Sequence, residues 1–164
     1  MSMSGGLAFE TLEGKAAFAD AALNLSQTAR NQLSLMSLEL ETTIYGTEAF
    51  VDRLRSFILQ HRRARIRVLI NDPRSARNNA PRLIEFGRLL SSRIEFRALK
   101  AEHLHLREEY LIADENVLLF RAAPTQLEAK FYADAPMVAR QQLKAFDSLW
   151  QESPPATELR SLAL

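Results

Sequence analysis

Apolar residues recur along this chain at two spacings, and each change of spacing marks an element. From Lys15 to Gln32 the spacing is helical: Phe18, Ala21, Ala22, Leu25 and Ala29 stand three or four apart, with Ser26, Gln27, Arg30 and Asn31 between them. From Leu33 to Glu41, Leu35, Ser37, Glu39 and Glu41 alternate with Met36, Leu38 and Leu40, which predicts a strand. Thr47 is expected to cap a helix over "EAFVDRLRSFILQHRRAR", with Phe50, Leu54, Phe57 and Ile58 on one face. "IRVLIND" is a compact β-branched run and predicts a second strand. Beyond Asp72-Pro73 and Pro81 a helix settles around Leu83 to Leu90, and "RIEFRAL" predicts a third strand. "REEYLIAD" and "ENVLLFRA" meet at Asp114-Glu115-Asn116, a hairpin turn. "EAKFYAD" predicts another strand. "APMVARQQLKAFDSLWQES" predicts a last helix with Leu143, Phe146 and Trp150 on one stripe.

The predicted order is α-β-α-β-α-β-β-β-β-α. It implies an α/β domain with a mixed sheet: parallel βαβ strands first, antiparallel strands after, and helices on both faces. Residues 1–14 read as a flexible leader, 15–153 as the domain, and 154–164 as a tail after a Pro-Pro stop. Phe18, Phe50, Phe57, Phe86, Phe146 and Trp150 are expected in the core. In the tail, Leu159, Leu162 and Leu164 are expected to fold back on the domain or to dock on a protein partner.

Composition narrows the function. The 164 residues carry a formal charge of +1, so a nucleic-acid or membrane partner would need local clustering of charge. The absence of cysteine excludes disulfides, thiolate nucleophiles, Cys-type zinc sites and iron–sulfur clusters, and fits a cytoplasmic protein. The N-terminus has neither a basic region nor a long apolar region of the secretory kind. No apolar run approaches the ~20 residues needed to span a bilayer. No cofactor is expected.

The candidate chemistry lies in "HLHLREEYLIAD", residues 103–114. His103 and His105 are two apart and would share a face of a strand, where imidazoles can chelate a metal. Glu102, Glu109 or His61 could add a third ligand, but no recognised zinc spacing is present, so no metal site is expected.

"YLIADENVLLF", with Asp114 closing the first apolar run, resembles the strand-turn-strand of the phospholipase D superfamily. That family carries the motif His-x-Lys-x-x-x-x-Asp, then an apolar strand and a Gly-Ser pair. Counting back from Asp114 puts Arg107 in the histidine slot and Glu109 in the lysine slot, while Arg121-Ala122 stands at the Gly-Ser pair. Placing His105 in the histidine slot puts Arg107 on the lysine, but leaves Ile112 where Asp is needed.

In the family the histidine attacks phosphorus and the lysine holds phosphoryl oxygens. Arginine stays protonated and has no available lone pair, so Arg107 cannot be that nucleophile. Glu109 would repel a phosphate at about 4 Å by about 1 kcal/mol in water and about 4 kcal/mol at an effective dielectric near 20. The chain is similar in particular to small bacterial PLD-like domains of unknown function, which share a helix bearing a Trp and a tail like "ELRSLAL". The resemblance implies the fold without the chemistry, and a homodimer about a two-fold axis.

Other polar residues fall where open α/β sheets place ligands. Glu41, Tyr45, Asp72 and Arg107 form a candidate polar cluster, although Asp72 before Pro73 also suits an N-cap. "HRRARIRVLINDPRSARNNAPR" holds Arg62, Arg63, Arg65, Arg67, Arg74, Arg77 and Arg82. Arginine favours bidentate contacts to phosphate or carboxylate, but no aromatic residues interleave as a base-stacking platform. The expectation is a binding or regulatory module for a phosphate-bearing molecule, nucleic acid or protein, with Arg62, Arg65, Arg67 and Arg74 as contacts. Its first rival is a phosphodiesterase or nuclease using His105. A second rival is a structural dimerisation domain whose old site is filled by an Arg107–Glu109–Asp114 network.

Overall fold

The computed structural model describes residues 8–159. Its elements in chain order are β1 (Glu10–Glu13), α1 (Lys15–Thr28), β2 (Gln32–Ser37), α2 (Glu48–Gln60), β3 (Arg65–Ile70), α3 (Pro73–Asn79) and α4 (Pro81–Leu89). There follow β4 (Ile94–Ala98), a 3-10 turn (Ala101–His103), β5 (Glu109–Ala113), β6 (Val117–Arg121), β7 (Glu128–Tyr132) and α5 (Pro136–Glu152). The seven strands form one sheet in the order β1-β7-β6-β5-β2-β3-β4. β2, β3 and β4 are parallel, and every other pairing is antiparallel, as the sequence pattern predicts.

The pleat sends alternate residues to two cores. Leu33 and Leu35 of β2, Ile66, Val68 and Ile70 of β3, and Leu111 and Leu119 pack with Phe18, Leu25, Phe50, Leu54 and Phe57 of α1 and α2. The residues between them, Met36, Leu69, Tyr110, Ile112 and Leu118, pack under Ala139, Phe146 and Trp150 of α5. Helices therefore cover both faces, and all six aromatic residues expected in the core are buried. Thr47 caps α2, its side chain accepting from the Phe50 N–H. Among the described residues, no helix is long and apolar enough to cross a membrane.

Four expectations need correction. Glu10–Glu13, read as part of a leader, pairs with β7 as an edge strand. The strand expected to reach Glu41 ends at Ser37; Leu40, with φ of 52°, turns the chain away, and its N–H donates to Ser37 Oγ. The single helix after Asp72 is two, because Pro81 holds Ala80 out of helical geometry (φ −135°, ψ 57°). His103 and His105 do not share a strand face. Their segment curls into a turn and loop, fastened by the Asn71 side-chain amide donating to the carbonyls of Leu104 (3.0 Å) and Leu106 (2.8 Å).

In the tail, Leu159 folds back and is buried, while Leu162 and Leu164 lie outside the described residues. The chain after α5 returns along β4: the Ala98 N–H donates to the Pro154 carbonyl and the Ala156 N–H to that of Phe96.

Candidate functional site

β5 runs against β2, and β6 against β5. One sheet edge therefore gathers the C-terminal ends of β2, β3 and β6 with the N-terminal end of β5. Ser37, Glu109 and Arg121 stand there on the face covered by α1, since Glu109 is registered opposite Arg121. Glu109 is fully buried. Its carboxylate accepts from Ser37 Oγ (3.0 Å) and from the Leu38 N–H (2.7 Å). Arg121 is 2% exposed, lies 4.0 Å from Glu109, and donates to Glu41 at 2.6 Å. Its guanidinium also lies over the Phe18 ring, 4.6 Å from the centroid. Lys15 completes the set, 2.9 Å from the other oxygen of Glu41.

The electrostatics follow from this arrangement. Burial pushes the Glu109 carboxyl up to about 7, against the opposing pull of the Leu38 N–H, Arg121 and Ser37. Burial works on Glu41 in the same direction, but its bonds to Lys15 and Arg121 prevail and hold it below the usual carboxylate range. Tyr45 is fully buried beside these charges, and its hydroxyl has no hydrogen-bond partner among the described residues. Burial, reinforced by Glu109, raises that phenol well above its ordinary value. Arg121 Nε is likewise unpartnered. Three surface clefts of about 610, 340 and 170 Å3 have other walls, and none includes Glu41, Glu109 or Arg121.

Of the residues expected at this site, Glu41, Tyr45 and Glu109 come together. Asp72 reaches the same edge but caps α3, accepting from the backbone N–H and hydroxyl of Ser75. Arg107 is exposed in the loop before β5, so it shares no strand face with Glu109. Asp114 lies at the other end of β5, five residues and about 17 Å from Glu109. Its carboxylate accepts the backbone N–H groups of Arg30, Asn31 and Gln32 at 3.1, 2.7 and 3.0 Å. An Arg107–Glu109–Asp114 network does not form, and Arg121, Glu41 and Lys15 supply the partners instead. His105 is exposed in the loop, without a described partner.

The arginine segment is not one surface. Arg62 and Arg65 are exposed at the opposite sheet edge, by the N-terminal end of β3, and Arg74 is exposed on α3. Arg67 points under α5, bound to Asp147 (2.8 Å) and Ser34 Oγ (3.1 Å) and stacked over Phe146 and Trp150. The site residues that sequence reasoning missed are Lys15, Ser37 and Arg121. The available signal was polar or charged residues ending otherwise apolar strands.

The family described as Domain of unknown function (DUF7931) matches residues 14–162, and the chain belongs to it. No curated protein sequence matches. Nuc of Salmonella typhimurium, a phospholipase D family member, superposes with a TM-score of 0.67 at 12% identity, covering 90% of this chain and 97% of Nuc. NucT from Helicobacter pylori gives 0.63 at 11%, covering 90% and 98%. TrmBL2, an archaeal chromatin protein described as having a novel mode of DNA binding, gives 0.66 at 16%, covering 90% of this chain. The chain spans about half of TrmBL2, 54% of its length. The fold is phospholipase D-like.

Proposed function

We propose that this chain is a non-catalytic phospholipase D-like module that binds or regulates. The observation that carries this reading is the state of Glu109. In the register anchored on Asp114, Glu109 takes the place of the lysine that would hold phosphoryl oxygens. Its carboxylate is buried and engaged by Ser37 and Leu38, and it faces an arginine already bound to Glu41. Such a group is occupied by its neighbours inside the core, and in its ionised form it would repel a phosphate. Arg107, in the nucleophile's slot, is exposed, and a guanidinium offers no lone pair with which to attack phosphorus.

A phosphate-bearing ligand finds better chemistry at the opposite edge. Arg30, Arg62, Arg63 and Arg65 are exposed around the N-terminal ends of β2 and β3, and none is in an ion pair among the described residues. The DNA binding ascribed to TrmBL2 supports nucleic acid as this ligand. A homodimer and cytoplasmic residence are part of the same proposal.

One experiment with two arms tests it. Hydrolysis of bis(p-nitrophenyl) phosphate, with and without divalent metals, should stay at background. Turnover that disappears in His105→Ala would make the chain an enzyme. Duplex DNA affinity should fall steeply with salt, and Arg62→Ala with Arg65→Ala should flatten the log–log slope by about 2. Absence of DNA binding at low salt would leave a protein as the ligand.

A further inference from the structure

We infer that Glu102, His103 and Glu152 form a binding site for a divalent transition-metal ion of the zinc type. The inference is independent of the function proposed above. It replaces the sequence expectation of no metal site, and it discards the histidine pair that spacing suggested. His103 sits on the 3-10 turn and Glu152 is the last residue of α5; 49 positions apart in sequence, they bring His Nε2 to 3.2 Å from Glu Oε1. One ligand atom from each of the three residues lies within 4.8 Å of the other two. His105, two residues on, is not part of the group.

The donor set matches the ion. A tetrahedral zinc with bonds of about 2.0–2.1 Å needs its ligand atoms about 3.4 Å apart. The His103–Glu152 pair already has that spacing. Both glutamates are exposed on long side chains, so closing the remaining ångström or so meets no packed neighbour. One imidazole and two carboxylates suit zinc, nickel or copper, whereas magnesium and calcium take oxygen ligands throughout.

Charge points the same way. No lysine or arginine among the described residues pairs with Glu102 or Glu152 in an ion pair. Two carboxylates around one imidazole bring together an excess of acidic groups, which a dication balances. The open side of the site leaves room for water as the fourth ligand. A bound ion would tie the loop that feeds β5 to the end of α5, across the chain from the 3-10 turn to the final helix.

The test uses the full chain without a histidine tag. Zinc is titrated against a chromophoric zinc chelator at pH 7.5, and thermal unfolding is followed with and without zinc. One ion per chain is expected, with a rise in Tm. His103→Ala and Glu152→Gln should each weaken binding by at least about tenfold, since losing even an outer partner of a ligand costs 10–100-fold. Both variants should lose the zinc-dependent rise in Tm while keeping the metal-free Tm. His105→Ala and His61→Ala should bind as the wild type does. The inference fails if no zinc binds, if binding survives both ligand variants, or if His105→Ala weakens it equally.

Discussion

The two ends of β5 carry the same kind of group to opposite effect. At one end the Glu109 carboxylate is out of reach of water, shares its space with an arginine and a second glutamate, and is pushed up to about 7. At the other end Asp114 sits in the hairpin turn with φ of 54°, collecting backbone N–H groups from the start of β2. Both tie β5 to β2. One does so through buried charges whose desolvation must be offset, the other through a turn that solvent can reach. The two carboxylates are therefore two different fastenings of one strand pair.

The largest effect that would break this comparison is at Arg121. Arg121→Ala leaves Glu109 buried without its cation and should cost about 3 to 5 kcal/mol in urea unfolding, as for one partner removed from a buried pair. A cost below about 1 kcal/mol would mean that the network contributes little.

Next comes pH. Glu109 has an ordinary value of 4.5 and a folded value of about 7, so the folded protein holds this proton more tightly. The stability it contributes is complete below the unfolded value and is lost as pH rises through the folded one, by about 3 kcal/mol in all. Unfolding free energy should fall between pH 5 and pH 8 in the wild type, and this component should vanish in Glu109→Gln. Identical pH slopes in the two proteins would show that Glu109 stays ionised. Glu41, held low, contributes with the opposite sign and only in more acidic solution, so it does not mimic this slope.

The smallest effect is at Asp114. Asp114→Ala should cost about 1 to 2 kcal/mol in the same unfolding measurement, because water can replace the lost acceptor for most of the exposed amides. Asp114→Asn should cost less, since asparagine tolerates positive φ and keeps one oxygen. An Asp114→Ala cost larger than that of Arg121→Ala would reverse the ranking of the two ends.

Much of the fold was legible because burial follows the period of each element. Phe18, Leu25, Phe50, Leu54 and Phe57 repeat at helical spacing and line one core. The apolar runs on either side of Asp114 place it in the turn between β5 and β6, where the structure has it. β1 was missed because "ETLE" has no apolar alternation and joins the sheet through backbone pairing with β7. The site was legible in half. Glu41, Tyr45 and Glu109 could be named, but β5 is buried along its whole length, so pattern alone could not say that Glu109 faces inward to a partner. Arg121 ends an apolar strand and resembles a solvent-facing charge. Only the register that sets it opposite Glu109 reveals its place. "HLHL" alternates like a strand, but Asn71 captures two of its carbonyls and bends it away.

The segment after α5 bears on how the sheet is kept from growing past its own edge. β4 is an outer strand of the sheet, and an outer strand offers unpaired N–H and carbonyl groups to any other chain. Pro154–Ala156 lies against it and uses two of those groups, while Pro155 bridges to Arg97. The cover cannot seed the next layer in its turn, because Pro155 has no N–H to present outward. A chain cut after Glu152 would keep all seven strands of the described sheet yet bare this edge, and size-exclusion chromatography should find it in larger assemblies than the full chain.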